Sequence, residues 1–125
     1  MLFLIVDDHP LVCSALEGML RSVFEPCELI QAHSVAEALE TVRQLEDIDL
    51  VLLDINMPIM DGITLLKEMR KSAVLANTPV IMLTGMEETE IALECLRAGA
   101  CGYVTKPYNM DQIRQQISHC LSVQE

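Results

Sequence analysis

Five polar residues stand where apolar runs end. Asp7 and Asp8 follow Leu2-Phe3-Leu4-Ile5-Val6, Asp54 follows Leu50-Val51-Leu52-Leu53, Thr84 follows Val80-Ile81-Met82-Leu83, and Lys106 follows Gly102-Tyr103-Val104-Thr105. In an open α/β sheet, ligands gather outside the carboxyl ends of the strands. If the strands run parallel, these five side chains converge on one rim. Three crowded carboxylates repel one another unless a cation holds them ionised. Magnesium fits that need: it prefers oxygen ligands, keeps several waters, and requires only a few carboxylates beside a phosphate. Singly, each residue has a plainer reading, with Asp7 and Asp8 capping a helix, Asp54 closing a strand into a turn and Lys106 a solvated charge. Jointly, five unrelated placements on one rim explain less than one metal and phosphate site does.

The elements that must position these residues alternate along the chain. Leu2 to Val6 reads as a buried strand, unbroken because both of its faces are covered. Pro10 suits the first turn of a helix, whose apolar stripe is Val12, Leu16, Met19, Leu20 and Val23 and which Glu25-Pro26 ends. Glu28 to His33 is a weaker strand, and Ser34-Val35-Ala36-Glu37 is a capping box opening a helix to about Leu45. Asp49 to Asp54 is the clearest strand, followed by a turn at Pro58 and Asp61-Gly62 before the next helix. Pro79 to Thr84 is the fourth strand. Glu87 to Ala98 is a helix with Ala92, Cys95 and Leu96 inward, stopped by Gly99. Gly102 to Thr105 is a short fifth strand, and Ile113, Ile117, Cys120 and Leu121 mark the last helix. Strands alternating with helices predict a parallel sheet covered on both sides.

The composition narrows the class. The 125 residues, without repeat or low-complexity linker, fit one domain spanning 1–125. A hydrophobic fraction of 51% argues against disorder, and 22% charged residues argue against a membrane protein. Eight Lys+Arg against 19 Asp+Glu leave a net charge of −11, which repels nucleic acid. The apolar opening stops at two aspartates, too short for a signal sequence or a span, so the chain is expected in the cytoplasm. Its five cysteines form an odd set without a CxxC pair, and read as buried free thiols in a reducing compartment.

Together, Val6-Asp7-Asp8-His9-Pro10, Leu52-Leu53-Asp54-Ile55-Asn56-Met57-Pro58, Asp61-Gly62, Leu83-Thr84-Gly85 and Tyr103-Val104-Thr105-Lys106-Pro107 resemble the receiver domain of two-component response regulators. The Asp-Asp-His-Pro opening looks most like receivers of helix-turn-helix (LuxR/NarL-type) transcription regulators. The resemblance implies a doubly wound, flavodoxin-like five-stranded sheet of order 2-1-3-4-5. It implies that Asp54 accepts a phosphoryl group from a sensor histidine kinase or phosphotransfer protein. Asp8, Asp54 and the backbone carbonyl of Asn56 would ligate Mg2+, with Asp7 assisting through water. Lys106 and Thr84 would contact phosphoryl oxygens, and Gly85 would leave them space. Tyr103 would turn inward as Thr84 moves, reshaping the face of the fourth helix, fifth strand and fifth helix, with a homodimer or a partner as the outcome. The peptide before Pro107 would be cis. The output would be transcription through a DNA-binding domain outside this chain, or a partner of a stand-alone receiver.

Other residues have ordinary roles. His9 is read as a helix-start residue, His33 and His119 as without chemistry, and Met57, Met60, Met82 and Met86 as core fillers, with Met57 and Met86 bordering the phosphate. A flavin carrier would need glycine or hydroxyl groups after the first strand, where Asp7-Asp8-His9 stands. An aspartyl phosphatase would need a second Asp as general acid, where Asp54-Ile55-Asn56 stands. The remaining rival is a receiver-fold module that binds without being phosphorylated. The implied chain is not an enzyme acting on a separate substrate; its chemistry is its own phosphorylation and dephosphorylation.

Overall fold

A computed structural model of the chain describes residues 1–24, 26–45, 47–54, 62–71, 76–84, 89–105 and 108–122. Strands and helices alternate: β1 (Leu2–Val6), α1 (Pro10–Val23), β2 (Glu28–Ala32), α2 (Val35–Gln44), β3 (Leu50–Asp54), α3 (Gly62–Lys71), β4 (Val80–Thr84), α4 (Thr89–Arg97), β5 (Gly102–Thr105) and α5 (Met110–Ser122). The strands pair in parallel in the order β2-β1-β3-β4-β5, as expected.

Every residue of β1, β3 and β4 is buried, because helices cover both faces of the sheet. Phe3, Ile5, Leu52, Ile81 and Val104 meet α1 and α5 through Leu16, Leu20, Ile113 and Ile117. Leu4, Val6, Val51, Leu53 and Met82 meet α2, α3 and α4 through Ala38, Leu65, Leu66 and Cys95. Burying each large aliphatic side chain contributes about 1.5–3 kcal/mol, and coverage of both faces is why these strands read as unbroken apolar runs. At the sheet edge, β2 is only partly covered, from exposed Glu28 to buried Ala32.

Local chemistry sets the ends of the elements. The Ser34 hydroxyl accepts the Glu37 N–H at 3.1 Å, while the Glu37 carboxylate accepts the His33 N–H at 3.3 Å, one residue earlier than a standard capping box. Asn109 Oδ1 accepts the N–H groups of Asp111 and Gln112 at 2.8 and 3.2 Å. At α1 the N-cap is His9, with Pro10 in the first turn and no side-chain cap, so capping is not the role of Asp7 or Asp8.

Several expectations need correction. Asp49 lies outside β3; its carboxylate instead accepts the Leu2 N–H at 2.8 Å. On α1, Cys13 is buried with Leu16 and Leu20, and Val12 and Met19 sit at the margin. Leu96 is partly exposed, because one helical step carries it past the stripe that buries Cys95. The reading of five free thiols also fails: Cys101 and Cys120 are joined in a disulfide, while Cys13, Cys27 and Cys95 lie outside any disulfide. Sequence spacing did not reveal that pair, because packing of α5 on β5 brings the two together. The expected start of the fourth helix at Glu87 and the Pro58 and Asp61 turn lie outside the described residues.

The end of α4 is built as a Schellman turn. The N–H of Ala100 donates to Cys95 O at 2.9 Å and that of Gly99 to Leu96 O at 3.1 Å. Gly99 has φ +110°, a conformation that side chains disfavour, and a Cβ there would meet Arg70 Nε at 2.8 Å. Arg70, in the last turn of α3, locks this corner by donating to Thr78 O and Gly99 O, both at 2.8 Å, and to Ala76 O at 3.2 Å. Gly99→Ala is expected to destabilise the fold by about 1–2 kcal/mol. Arg70→Met, which leaves those carbonyls without their charged donor, is expected to cost about 1–3 kcal/mol. Urea unfolding checks both, and wild-type midpoints would contradict this account of the corner.

Candidate functional site

Strand pairing decides which side chains share the rim. Val6 of β1 lies opposite Leu53 of β3, and Asp54 opposite Leu83 of β4, so the residues that leave β1, β3 and β4 emerge together. Asp7 is still anchored to the sheet, since its N–H donates to Ala32 O at 3.1 Å, and its side chain is fully buried. Asp54 is 1% exposed and Thr84 equally so.

The carboxylate oxygens of Asp7, Asp8 and Asp54 and a ring nitrogen of His9 all lie within 4.8 Å of one another. Asp7 Oδ1 accepts the backbone N–H of His9 at 2.9 Å and faces its ring Nδ1 at 3.0 Å. The second oxygen, Oδ2, is buried without a hydrogen-bond partner. Such an atom costs about 1–3 kcal/mol unless a cation or water meets it. His9 Nδ1 is also 2.9 Å from Asp8 Oδ1, a charge contact without hydrogen-bond alignment. Hard oxygen donors around one point, one of them buried and orphaned, fit a hard divalent cation such as magnesium.

His9, set aside in sequence reasoning as a helix-start residue, is thus both the N-cap and a member of the cluster. Its pKa is raised above the ordinary 6.5, first by the hydrogen bond to Asp7 and then by the charges of Asp8 and Asp7. The signal in the sequence was its adjacency to two aspartates.

Two more groups border the cluster. The Cys13 S–H donates to Asp7 O at 3.4 Å, and burial, reinforced by the Asp7 charge, pushes the thiol up to about 11. The Tyr108 hydroxyl is buried without a hydrogen-bond partner, and burial followed by the charges of Asp7 and Asp54 raises its pKa. Sequence reasoning did not single out Tyr108, since an aromatic residue after Lys106-Pro107 carries no chemical signature of its own.

Thr84 lies level with Thr105 at the rim, whereas Tyr103 lies opposite Met82. Tyr103 is the second residue of β5. Strand alternation puts Thr84, Met82 and Tyr103 on one face, and Tyr103 is 36% exposed. Met82 is core, and the His33 ring meets Gln31 Oε1 at 3.0 Å. Asn56, Lys106, Gly85, Met57, Met60, Met86 and the peptide before Pro107 lie outside the described residues.

A family model described as the response regulator receiver domain matches residues 3–118. The regulatory protein AtoC of Escherichia coli strain K12 is 39% identical over 123 residues, covering 97% of this chain and 25% of AtoC. The chemotaxis protein CheY of Halobacterium salinarum is 34% identical over 119 residues, covering 95% of each. The crystal structure of the receiver domain of NtrX from Brucella abortus superposes with a TM-score of 0.86 at 29% identity, covering 96% of this chain and 98% of that one. The chain spans about a quarter to a half of the length of several curated relatives it matches. The finer expectation, a receiver of the LuxR/NarL type, finds no support among these relatives.

The geometry at His9 sets a pH dependence. Because its pKa is raised in the fold, the stability it adds is fully present below the ordinary histidine value and is lost as pH rises through the folded one. In metal-free protein, an NMR titration is expected to place His9 above 6.5, and Asp7→Asn to lower it. An unshifted His9, or one indifferent to Asp7→Asn, would contradict the pairing.

Proposed function

The chain belongs to the response regulator receiver domain family, and on that footing we propose that it accepts a phosphoryl group on Asp54 from a sensor histidine kinase or phosphotransfer protein. The observation that carries this reading is the carboxylate of Asp54, buried at the end of β3 with carboxylate oxygens of Asp7 and Asp8 within 4.8 Å. A carboxylate oxygen of Asp54 attacks the phosphorus of a phosphohistidine. The P–N bond breaks, its electron pair returns to the imidazole, and an acyl phosphate forms.

Asp8 and Asp54, with the backbone carbonyl of Asn56, would hold magnesium, and Asp7 would support it through water. When bound, the ion neutralises the carboxylates and the incoming phosphoryl oxygens together. Lys106 contributes a point charge to a phosphoryl oxygen, by resemblance to the family. The Thr84 hydroxyl donates to another, and Gly85 leaves them room. Tyr103 then turns inward beside Thr84, and the population of the α4, β5 and α5 face shifts because the phosphoryl dianion binds one of two packings better.

Residues 1–125 act in this reading as one phosphoacceptor domain in the cytoplasm, not as an enzyme on a separate substrate. Among the described residues no helix is long and apolar enough to cross a membrane. The changed face recruits a partner or a second copy, and the charge of −11 disfavours direct contact with DNA. A longer protein with a transcriptional output domain is supported by the transcriptional regulatory protein ZraR of Salmonella typhimurium, of which this chain covers 26%. A stand-alone receiver is supported by CheY, of which it covers 95%.

Intact mass after incubation with acetyl phosphate and magnesium is expected to show one phosphoryl group on the wild type and none on Asp54→Asn. Labelling of Asp54→Asn at the wild-type level would overturn the acceptor assignment. Asp8→Ala is expected to weaken magnesium binding by at least about tenfold, a loss typical even of residues that only support ligands, and to lose phosphorylation with it. Thr84→Ala is expected to bind beryllofluoride at Asp54 yet show a much weaker amide-exchange change across α4, β5 and α5. A response equal to wild type would remove Thr84 as the relay.

A further inference from the structure

Away from the acidic rim, a cysteine pair joins the start of β5 to α5. Cys101 and Cys120 are 19 residues apart in sequence, and their Cα atoms are 5.7 Å apart, inside the usual range for a disulfide. The packing explains the approach. Ile113, Ile117 and Cys120 form the buried stripe of α5. They lie close over β5: a Cβ added at Gly102 would stand 3.7 Å from Cys120 Sγ, an ordinary contact distance, and against the movable end of the Gln116 side chain. The backbone at Cys101 is held by the sheet, its N–H donating to Val80 O at 2.8 Å. Cys101 is half-buried and Cys120 fully buried, so a reagent from solution reaches Cys101 first.

We propose that Cys101 and Cys120 form a reversible redox modification site, in which a low-molecular-weight disulfide such as glutathione disulfide closes a covalent clamp between β5 and α5. The Cys101 thiolate attacks one sulfur of the small disulfide and expels a thiolate, giving a mixed disulfide. The Cys120 thiolate then attacks Cys101 Sγ and expels the second. Two protein thiols are oxidised, two small thiols are formed, and the two protons pass to the leaving thiolates. An excess of small thiol runs the same steps backward, with attack first at Cys101. The other three cysteines lie outside this pair: Cys13 and Cys95 are buried, and Cys27, partly exposed, precedes β2 at the sheet edge opposite β5.

The clamp fixes the C-terminal part of α5 to the sheet end opposite the phosphoacceptor rim. On the reading above, α5 belongs to the face that responds to phosphorylation, so oxidation would limit that response. The site itself stands apart from that reading, because its formation needs neither phosphate nor metal.

The test uses the full chain, reduced with dithiothreitol and then equilibrated with glutathione disulfide without magnesium or phosphodonor, alkylated and mapped by peptide mass. The expected result is loss of two hydrogens per chain, a single Cys101–Cys120 linked peptide, and alkylated Cys13, Cys27 and Cys95 after denaturation. Dithiothreitol should reverse it. Oxidation should raise Tm on the order of 10 °C, and Cys101→Ser, at a half-buried position, should abolish both the link and the shift. Full alkylation of Cys101 and Cys120, a link to Cys27, or glutathione retained on Cys101 would overturn the proposal. Should Cys120→Ser fail to fold, Cys101→Ser decides alone. A separate comparison of acetyl phosphate labelling in the two redox states tells failure of the clamp from failure of the phosphoacceptor reading.

Discussion

Repulsion among buried carboxylates is the constraint on which the rest of this molecule turns. Asp7 and Asp54 lie almost wholly out of solvent, where like charges are poorly screened, and Asp8 joins them within 4.8 Å. Such an arrangement survives only if the scaffold is stiff and positive charge is near. Among the described residues the His9 ring lies against Asp7 and Asp8, which raise its pKa and so favour its positive form. Among the described residues Asp7 Oδ2 is buried without a hydrogen-bond partner. On the proposed reading a bound cation meets that oxygen and, with it, an incoming anion.

The stiffness comes from β1, β3 and β4, which are buried at every position. Their parallel pairing sends all the carboxyl ends to one rim, and both faces are packed, so the strand ends have little freedom. The corner at Arg70, Gly99 and Thr78 belongs to the same economy of order, because it holds α3, the approach to β4 and the end of α4 together through one side chain. The β5 side is less enclosed, a four-residue edge strand that carries exposed Tyr103. A short edge element under a helix is the natural place for two packings of similar energy.

A covalent link lies on that side. The pair Cys101 and Cys120 joins the start of β5 to α5 where the helix packs beside Gly102. The acidic rim lies at the carboxyl ends of the strands, and the thiol pair at the opposite end of β5.

The amino-acid sequence by itself determined the element order, the parallel sheet and the acidic positions. Unbroken apolar runs, helical spacing and Pro, Gly and Ser boundaries are local signals, and Asp7, Asp8, Asp54 and Thr84 could be read as rim residues from their places after such runs. Tertiary structure alone decided what those residues meet. His9 is the helix-start residue its position suggested, but only the turn after β1 set its ring against the carboxylates. That Tyr103 lies opposite Met82 was set by the pairing of β5 with β4, not by the composition of β5. Tyr108 and the Cys101–Cys120 pair were invisible because burial of a hydroxyl and approach of two sulfurs are set by how α5 docks. Spacing encodes which face a residue takes on its own element, whereas distances between elements arise only when the faces pack.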